Sequence, residues 1–366
     1  MARPVTLRIA LFGLGRVAER IHLPACAVLT GGRVIAACDP DPERRRQVGG
    51  RFGLTRLYPD AAALLRAEPV DLVVVGTPPE THRDLCLSAI EHGAHVLCEK
   101  PLCGTAADAA RVIAAAEAKG RLLAVNNQYR FMDLYRVPRE RIAAGEFGRL
   151  YSIQCWQQML HPPSREQNWR ATLERYTFLE FGTHALDLIC FLLDAFPLSI
   201  AAHMPIVRPD ERARDIVVQA TLRFPDERLA TLALNRVSHA PERYFEMRLD
   251  CERASLRISL GGVGRVSADW SRRLGRPTAR FGLARGGEAR VEAGGRSRVL
   301  VREPKDPYVS ATTRHLEVLT ERLRAGGRDA RAARGAGDLL RIVEAGYESA
   351  RTGETVWLAP PSSVDA

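Results

Sequence analysis

Of the 53 basic residues in this 366-residue chain only three are lysines, and one of them, Lys100, stands in the run Glu99-Lys100-Pro101. Arginine keeps its proton at any working pH, whereas an amine can give its proton up, most readily beside another positive charge. Lys100 can therefore share a proton with a hydroxyl or carbonyl oxygen; the plainer reading is a surface lysine. A second proton carrier, His184, lies in Glu180-Phe181-Gly182-Thr183-His184-Ala185-Leu186-Asp187. On a helix, positions 180, 184 and 187 share one face, so two carboxylates would flank the imidazole, orient it and set its basicity. Leu186, Ile189, Cys190 and Leu193 would form the apolar stripe. The structural alternatives are a capping box, Thr177-x-x-Glu180, and a core histidine at 184.

The third constellation is Gly13-Leu14-Gly15-Arg16-Val17-Ala18, placed after an apolar strand and at the start of a helix. Such glycines allow a tight turn and let backbone amides approach a pyrophosphate at the helix N-terminus. Asp39 follows 24 residues beyond Gly15, at the end of the second strand. A carboxylate there accepts from ribose hydroxyls and repels a 2′-phosphate, which favours NAD over NADP. Arg44, Arg45 and Arg46 follow closely and could tolerate the phosphate. An ordinary turn with a helix-capping aspartate is the alternative. After the strand ending at Val75 comes Gly76-Thr77-Pro78-Pro79-Glu80-Thr81-His82, a stiff turn at an edge where open α/β sheets bind ligands, or simply a proline-stiffened helix start. The cofactor candidates are Gly13, Gly15, Arg16, Val17, Asp39, Thr77, Pro78, His82, Glu99 and Lys100.

The elements that must carry these residues are legible as alternation. Leu7–Phe12, Arg33–Cys38, Asp71–Val75, His95–Cys98 and Leu122–Val125 are short apolar runs, as strands buried on both faces should be. Helical patterns at 16–29, 42–50, 80–92 and 105–119 separate them, with Pro24 early in a second helical segment, Thr105 and Asp108 as an N-cap, and Gly93 and Gly120 as stops. Repeated βα units predict a doubly wound parallel sheet. Beyond about residue 126, Tyr151–Gln157, Ile216–Phe224 and Leu229–Asn235 alternate with period two, which predicts a mixed or antiparallel open sheet covered by helices at 180–194, 311–325 and 336–350. This divides the chain into a dinucleotide-binding part, 1–126, and an α+β substrate-binding and oligomerisation part, 127–366. The tail after Pro360 is expected to fray.

Composition narrows the rest. With 46% hydrophobic residues a sizeable core is available, and no apolar run approaches the roughly 20 residues of a membrane helix. The start runs into a strand without a signal peptide's apolar stretch, so a soluble, cytoplasmic chain is expected. Eight scattered cysteines without a CxxC pair fit that compartment. Cys98 and Cys103 with His95 could be imagined as metal ligands, but strand alternation points His95 and Cys98 to opposite faces, and no metal is expected. The net charge of +10 comes from 50 arginines spread among acids, without the one-sided helix a nucleic-acid binder presents. The stretch 271–302, with nine arginines against Glu288 and Glu292, is a solvated face or an anion-binding surface.

These pieces, in this order and spacing, resemble the glucose–fructose oxidoreductase / inositol dehydrogenase (Gfo/Idh/MocA) family. The resemblance covers essentially the whole chain: the glycine turn, GTPPETH at 76–82, EHGAHVLCEKPL at 91–102, Asn127-Gln128-Tyr129-Arg130-Phe131, the helix bearing His184, and EAGYESARTGETVWL at 344–358. It implies an N-terminal Rossmann domain, a C-terminal open-sheet domain, an active site between them, a cis Lys100–Pro101 bond, which only proline makes cheap, and a homodimer or homotetramer paired through the sheet's outer face. It implies hydride transfer between NAD and a secondary alcohol or ketone of a sugar, cyclitol or sugar phosphate. His184 would then be the base, Lys100 would polarise the same oxygen, and Glu180 would hold substrate or orient His184. Arg130, Trp156, Gln157, Trp169 and Arg170 are the remaining candidates for lining the substrate pocket. Relatives usually carry aspartate where Glu180 stands, and many have a glycine-rich run where Tyr176-Thr177-Phe178 lies here; both departures bear on the substrate more than on the reaction. Relatives also include enzymes that oxidise a sugar transiently to cleave a glycoside. A non-catalytic NAD-binding regulator is the third reading, and retention of Lys100 and His184 argues against it.

Overall fold

The computed structural model describes residues 6–211, 215–239, 244–261, 267–271, 276–280, 286–304 and 307–361, with 267–271 and 276–280 described as backbone. The tail beyond 361, Lys305, and Arg272, Arg273 and Arg285 of the arginine-rich stretch lie outside the described residues.

Six strands, β1 (Leu7–Phe12), β2 (Gly32–Cys38), β3 (Leu57–Tyr58), β4 (Leu72–Val75), β5 (His95–Cys98) and β6 (Leu123–Val125), form one sheet in the order β3-β2-β1-β4-β5-β6. Every pairing in it is parallel. The order reverses between β1 and β4, which places the Gly13 and Gly76 turns side by side at the switch point where such sheets bind nucleotides. The intervening helices are α1 (Leu23–Ala27, preceded by a π-helical turn at Ala18–His22), α2 (Pro42–Phe52), α3 (Ala61–Ala67), α4 (Pro79–Glu91) and α5 (Ala106–Ala118). Local chemistry sets their ends. Thr105 accepts from the Asp108 amide, and Gly93 and Gly120 take positive φ just past the helices. β3 and α3 were not expected from the periodicity; β3 is only two residues long, too short for a pattern to show.

After α6 (Asp133–Ala143) comes a second sheet built from β7 (Leu150–Gln158), β8 (Ser199–His203), β9 (Val217–Phe224), β10 (Arg228–Asn235), β11 (Phe245–Cys251) and β12 (Ser255–Leu260). A separate hairpin, β13 (Ser267–Ser271) and β14 (Arg276–Arg280), precedes β15 (Gly287–Ala293) and β16 (Arg296–Glu303). The nine-stranded order is β16-β15-β12-β11-β7-β10-β9-β8-β17, closed by β17 (Val356–Trp357). Only β7 and β10 run parallel. One face packs against α7 (Thr183–Leu193) through Leu186, Ile189 and Leu193.

The last two helices return to the first sheet. Leu316 and Leu319 of α8 (Pro307–Arg324) join the core of Ile9, Leu11 and Leu72, while Ala333, Ala336 and Leu340 of α9 (Arg331–Thr352) join that of Val73 and Val96. Burial of each leucine is worth about 1.5–3 kcal/mol. The other half of α9, with Leu339, Ile342 and Val343, packs in the core under the second sheet. One helix thus ties the two sheets together.

At the carboxyl edge of the first sheet a buried polar network pins four segments. Glu99, after β5, meets His22 Nε2 at 2.8 Å and accepts from Asn126 Nδ2 at 2.8 Å; the Asn126 carbonyl faces His315 Nδ1 of α8 at 3.2 Å. His22 and Asn126 opposite it hold the Glu99 carboxyl down at about 2 against the push of burial. No helix among the described residues is long and apolar enough to cross a membrane, and no group of three or more His, Cys, Asp or Glu among them is placed to hold a metal.

Glu99→Ala leaves His22 and Asn126 without their buried partner and is expected to cost about 3–5 kcal/mol. Because the folded carboxyl titrates below its ordinary 4.5, this stabilisation is present above pH 4.5 and fades as pH falls towards about 2. Urea melts of both proteins at neutral and acidic pH check the loss and its narrowing.

Candidate active site

The dinucleotide turn is shaped for close approach. Gly13 has φ +89°, and a Cβ there would lie 2.8 Å from Thr77 Cγ2 and 2.9 Å from the Gly76 carbonyl oxygen. At Gly15 a Cβ would meet nothing within 4 Å, so the missing side chain leaves open space beside the first helical turn. Arg16 is exposed and Val17 half-buried on that turn, whose leading amides have no intrahelical partners. Asp39 directly follows β2 and accepts from Leu14 N at 2.7 Å on one oxygen and from Asp41 N at 2.9 Å on the other. Each carboxylate oxygen keeps a second lone pair, enough to receive a ribose hydroxyl. The neighbouring arginines point to protein acceptors: Arg44 to Leu14 O and Glu19, Arg45 to Asp39 O, Arg46 to Glu43. These residues fit an NAD whose pyrophosphate lies over the turn and whose adenine-side ribose reaches Asp39.

Beside this turn, Thr77 and Pro78 are half-buried at the end of β4. His82 is fully buried, with Nε2 at 2.8 Å from Thr77 O and Nδ1 at 2.9 Å from Pro101 O. It is a strut behind the ligand-facing edge rather than part of it, joining the loop after β4 to the loop after β5. Glu99 is likewise committed inward to His22 and Asn126. The Lys100–Pro101 bond is cis.

Lys100 reaches across to the second half of the chain. Its Nζ donates to Glu180 O at 2.7 Å and to Glu180 Oε1 at 3.2 Å. Arg170 donates to the same Oε1 at 2.7 Å, and its guanidinium lies 4.3 Å from the centre of the Trp169 ring. His184 opens α7 and is buried, its ring stacked on Tyr129 at 4.3 Å with 6° between planes. Burial, and then the Lys100 cation, drive the His184 imidazole well below its ordinary 6.5, with Glu99 opposing. The imidazole is therefore neutral near neutral pH, able to accept a proton.

Two expectations for this helix need correction. Neither carboxylate bonds the imidazole. Thr177–Gly182 is wound as a π-helical turn, so the α-helical projection that put Glu180 beside His184 does not apply, and Glu180 faces Lys100 and Arg170 instead. Asp187 is taken by Arg130 through two bonds of 2.8 and 2.7 Å and by Asn127 at 2.8 Å. Nor does the Thr177 capping box form, since Thr177 Oγ1 is buried without a partner. Asp215 caps this end instead, accepting from the amides of Tyr176 at 3.0 Å and Phe178 at 2.8 Å and from Tyr347 Oη at 2.7 Å.

Among the pocket candidates, Trp169 and Arg170 join Glu180, while Arg130 braces α7 from the Asn127–Phe131 segment. Trp156 does not join them: along β7, Ile153, Cys155 and Gln157 are buried towards α7, and alternation turns Trp156 to the other face. Gln157 lies on the inner face and donates to Tyr244 Oη at 2.7 Å. Tyr129, Asp215, His22 and Asn126 were not singled out in the sequence. Tyr129 sits one residue before Arg130 in a segment already flagged, so position alone could have raised it; Asp215, in a loop far along the chain, carried no local signal.

A model of the oxidoreductase family with an NAD-binding Rossmann fold, Gfo/Idh/MocA, matches residues 7–127, and a model of that family's C-terminal domain matches residues 135–257. The chain is 34% identical over 183 residues to D-apiose dehydrogenase of Paraburkholderia graminis, covering 50% of this chain and 48% of that protein. It is 26% identical over 359 residues to D-apiose dehydrogenase of Rhizobium rhizogenes, covering 96% and 97%. The first match thus spans about half of its relative's length and the second nearly all of it. In fold, the chain matches the crystal structure of aldose-aldose oxidoreductase from Caulobacter crescentus complexed with glycerol, with a TM-score of 0.79 at 23% identity, over 96% of this chain and 100% of that one.

Asp39→Ala is expected to weaken NAD binding and to reduce discrimination against NADP, because the hydrogen-bond acceptor and the repelling charge leave together. Dissociation constants for both dinucleotides, measured by fluorescence titration, check it; an unchanged preference contradicts the assignment.

Proposed function

The chain belongs to the Gfo/Idh/MocA family of oxidoreductases with an NAD-binding Rossmann fold, and from that premise we propose that it moves a hydride between NAD and a secondary alcohol or ketone carbon of a sugar, cyclitol or sugar phosphate. The observation that carries the reading is the meeting of Lys100, from the dinucleotide side, with the helix that bears His184. A dehydrogenation needs a base at the hydroxyl and a donor that holds the same oxygen as its carbon becomes a carbonyl. A buried imidazole held neutral beside an ammonium supplies both.

In this mechanism His184 Nε2 or Nδ1 takes the hydroxyl proton, and Lys100 Nζ donates to that oxygen. Glu180 keeps the Lys100 ammonium in place from the far side, through both its backbone carbonyl and its carboxylate. Tyr129, stacked on the imidazole, and Asp215, at the start of the π-helical turn, fix the plane and depth of His184 and Glu180. His82 fixes the Pro101 carbonyl and so the loop that carries Lys100. NAD, when bound, supplies the hydride acceptor. The division into a dinucleotide-binding part, 1–126, and a substrate-binding part, 127–366, belongs to the same reading. So does a cytoplasmic homodimer or homotetramer paired through the outer face of the second sheet; exposed Tyr151 and Leu229 on that sheet support the pairing.

Lys100→Met and His184→Ala are each expected to lower hydride transfer by on the order of 10²–10⁴-fold while NAD binding stays nearly intact. Stopped-flow absorbance of reduced nicotinamide, with a sugar and polyol panel as substrate, measures the first and calorimetry the second. Since the base is neutral well below its ordinary 6.5, wild-type kcat/KM should hold level as pH falls from 8 to 6.5. Near-normal turnover in both variants contradicts the mechanism.

A further inference from the structure

The charges around Lys100 bear on the substrate that the proposed reaction would take. Lys100 Nζ and Arg170 Nη2 converge on a single oxygen, Glu180 Oε1, at 3.2 and 2.7 Å. A third cation also lies against the Phe181 ring. Arg236 Cζ lies 3.8 Å from the centre of that ring, and Lys100 Nζ lies 5.9 Å from it. Arg236 is buried, with Nε unpartnered; its Nη2 donates to Tyr176 Oη at 2.8 Å and finds its carboxylate, Glu166, only at 3.9 Å. Arg130, by contrast, is neutralised by Asp187. Lys100, Arg170 and Arg236 are set against three carboxylates, Glu180, Glu166 and the buried Glu99 beside Lys100, so these charges balance. An oxidised nicotinamide would add one positive charge to that balance.

A positive charge added among these largely buried groups is costly, and a neutral sugar does nothing to relieve it. Arg170 is the cation free to act. Its side chain is 30% exposed, against 11% for Lys100 and 2% for Arg236. Among the described residues it makes one side-chain bond, through Nη2, so most of its five N–H donors remain available. The Trp169 ring beneath it holds the guanidinium plane in one orientation, the state in which an arginine fork binds a carboxylate or phosphate with least loss of freedom. The Glu180 carboxylate serves both cations through one oxygen, which leaves the outer side of the Arg170 guanidinium open.

Resting on the proposed hydride transfer, we propose that the physiological substrate is a polyhydroxy compound bearing an anionic substituent, a carboxylate or a phosphate ester. Arg170 binds the anion while Lys100 and His184 act at the hydroxyl.

The test uses protein saturated with NAD and three probes that share one ring or chain: D-glucose, D-gluconate, and glucose phosphorylated at its primary hydroxyl. A parallel galactose set repeats it. Calorimetry measures binding and nicotinamide absorbance measures turnover. At least one anionic member of each set is expected to bind about tenfold or more tightly than its neutral partner, as a charge-assisted fork should. Whether the aldonate or the phosphate ester leads distinguishes the two sources of charge. Arg170→Met should bring that anion to the level of the neutral sugar, and Arg170→Lys should restore part of the difference. Equal binding of neutral and anionic members, no binding of either anion, or an equal loss of both classes in Arg170→Met overturns the proposal. Failure of the underlying reading looks different: tight, Arg170-dependent anion binding without hydride transfer from any member supports the anion site and contradicts the oxidoreductase mechanism.

Discussion

A buried ammonium beside a buried imidazole is the constraint on which the site is built. Left alone, Lys100 near His184 would be two groups competing for one proton in a medium that tolerates little unbalanced charge. The structure resolves the competition in one direction. Glu180 supplies a carbonyl and a carboxylate to the ammonium, and desolvation together with the ammonium's field keeps the imidazole neutral. In the proposed mechanism the cation and the base thus have opposite roles before any ligand arrives.

The rest of the molecule holds that pair in register across two sheets. Lys100 rides on the loop after β5, whose carbonyl at Pro101 is tied by His82 to the loop after β4. Glu99, one residue earlier, is fixed by His22 and Asn126, which come from the helix after the glycine turn and from the end of β6. On the other side, Asp215 binds the first amides of the turn carrying Glu180, and Arg130 holds Asp187 in α7. α9 joins both cores, so the two carriers of the pair are packed against one rigid element. Positioned chemistry is sensitive to displacements of about 1 Å, and this density of struts meets that demand.

Much of this was legible in the chain because it is written locally. Strands buried on both faces read as Val-rich runs, Thr105 announces a cap on the amide three residues on, and the glycine turn with Asp39 lies within one βαβ unit. The proposed proton carriers stood out by type: one of only three lysines in an arginine-rich chain and a histidine on an apolar helix. What failed was geometry that depends on distant partners. Glu180 and Asp187 were expected to serve His184 because an ideal α-helix stacks them there. The π-helical turn moves the first, and Arg130, 57 residues away, captures the second. Trp156 looked suited to a sugar, but alternation along β7 assigns its face only once the buried side of the sheet is known. The side chains of Asp215 and Arg236 bind partners 37 to 132 residues distant, with no spacing that a local pattern could reveal.

The most direct test of the account is the protonation of His184 itself. Nitrogen NMR of histidine-labelled protein, with His184→Gln for assignment, should show this imidazole neutral at pH 6.5 and above. In Lys100→Met the same resonance should titrate at higher pH, because the cation that depresses it has gone. A His184 already protonated at neutral pH, or one whose titration ignores the loss of Lys100, would contradict the claim that the ammonium holds the base ready.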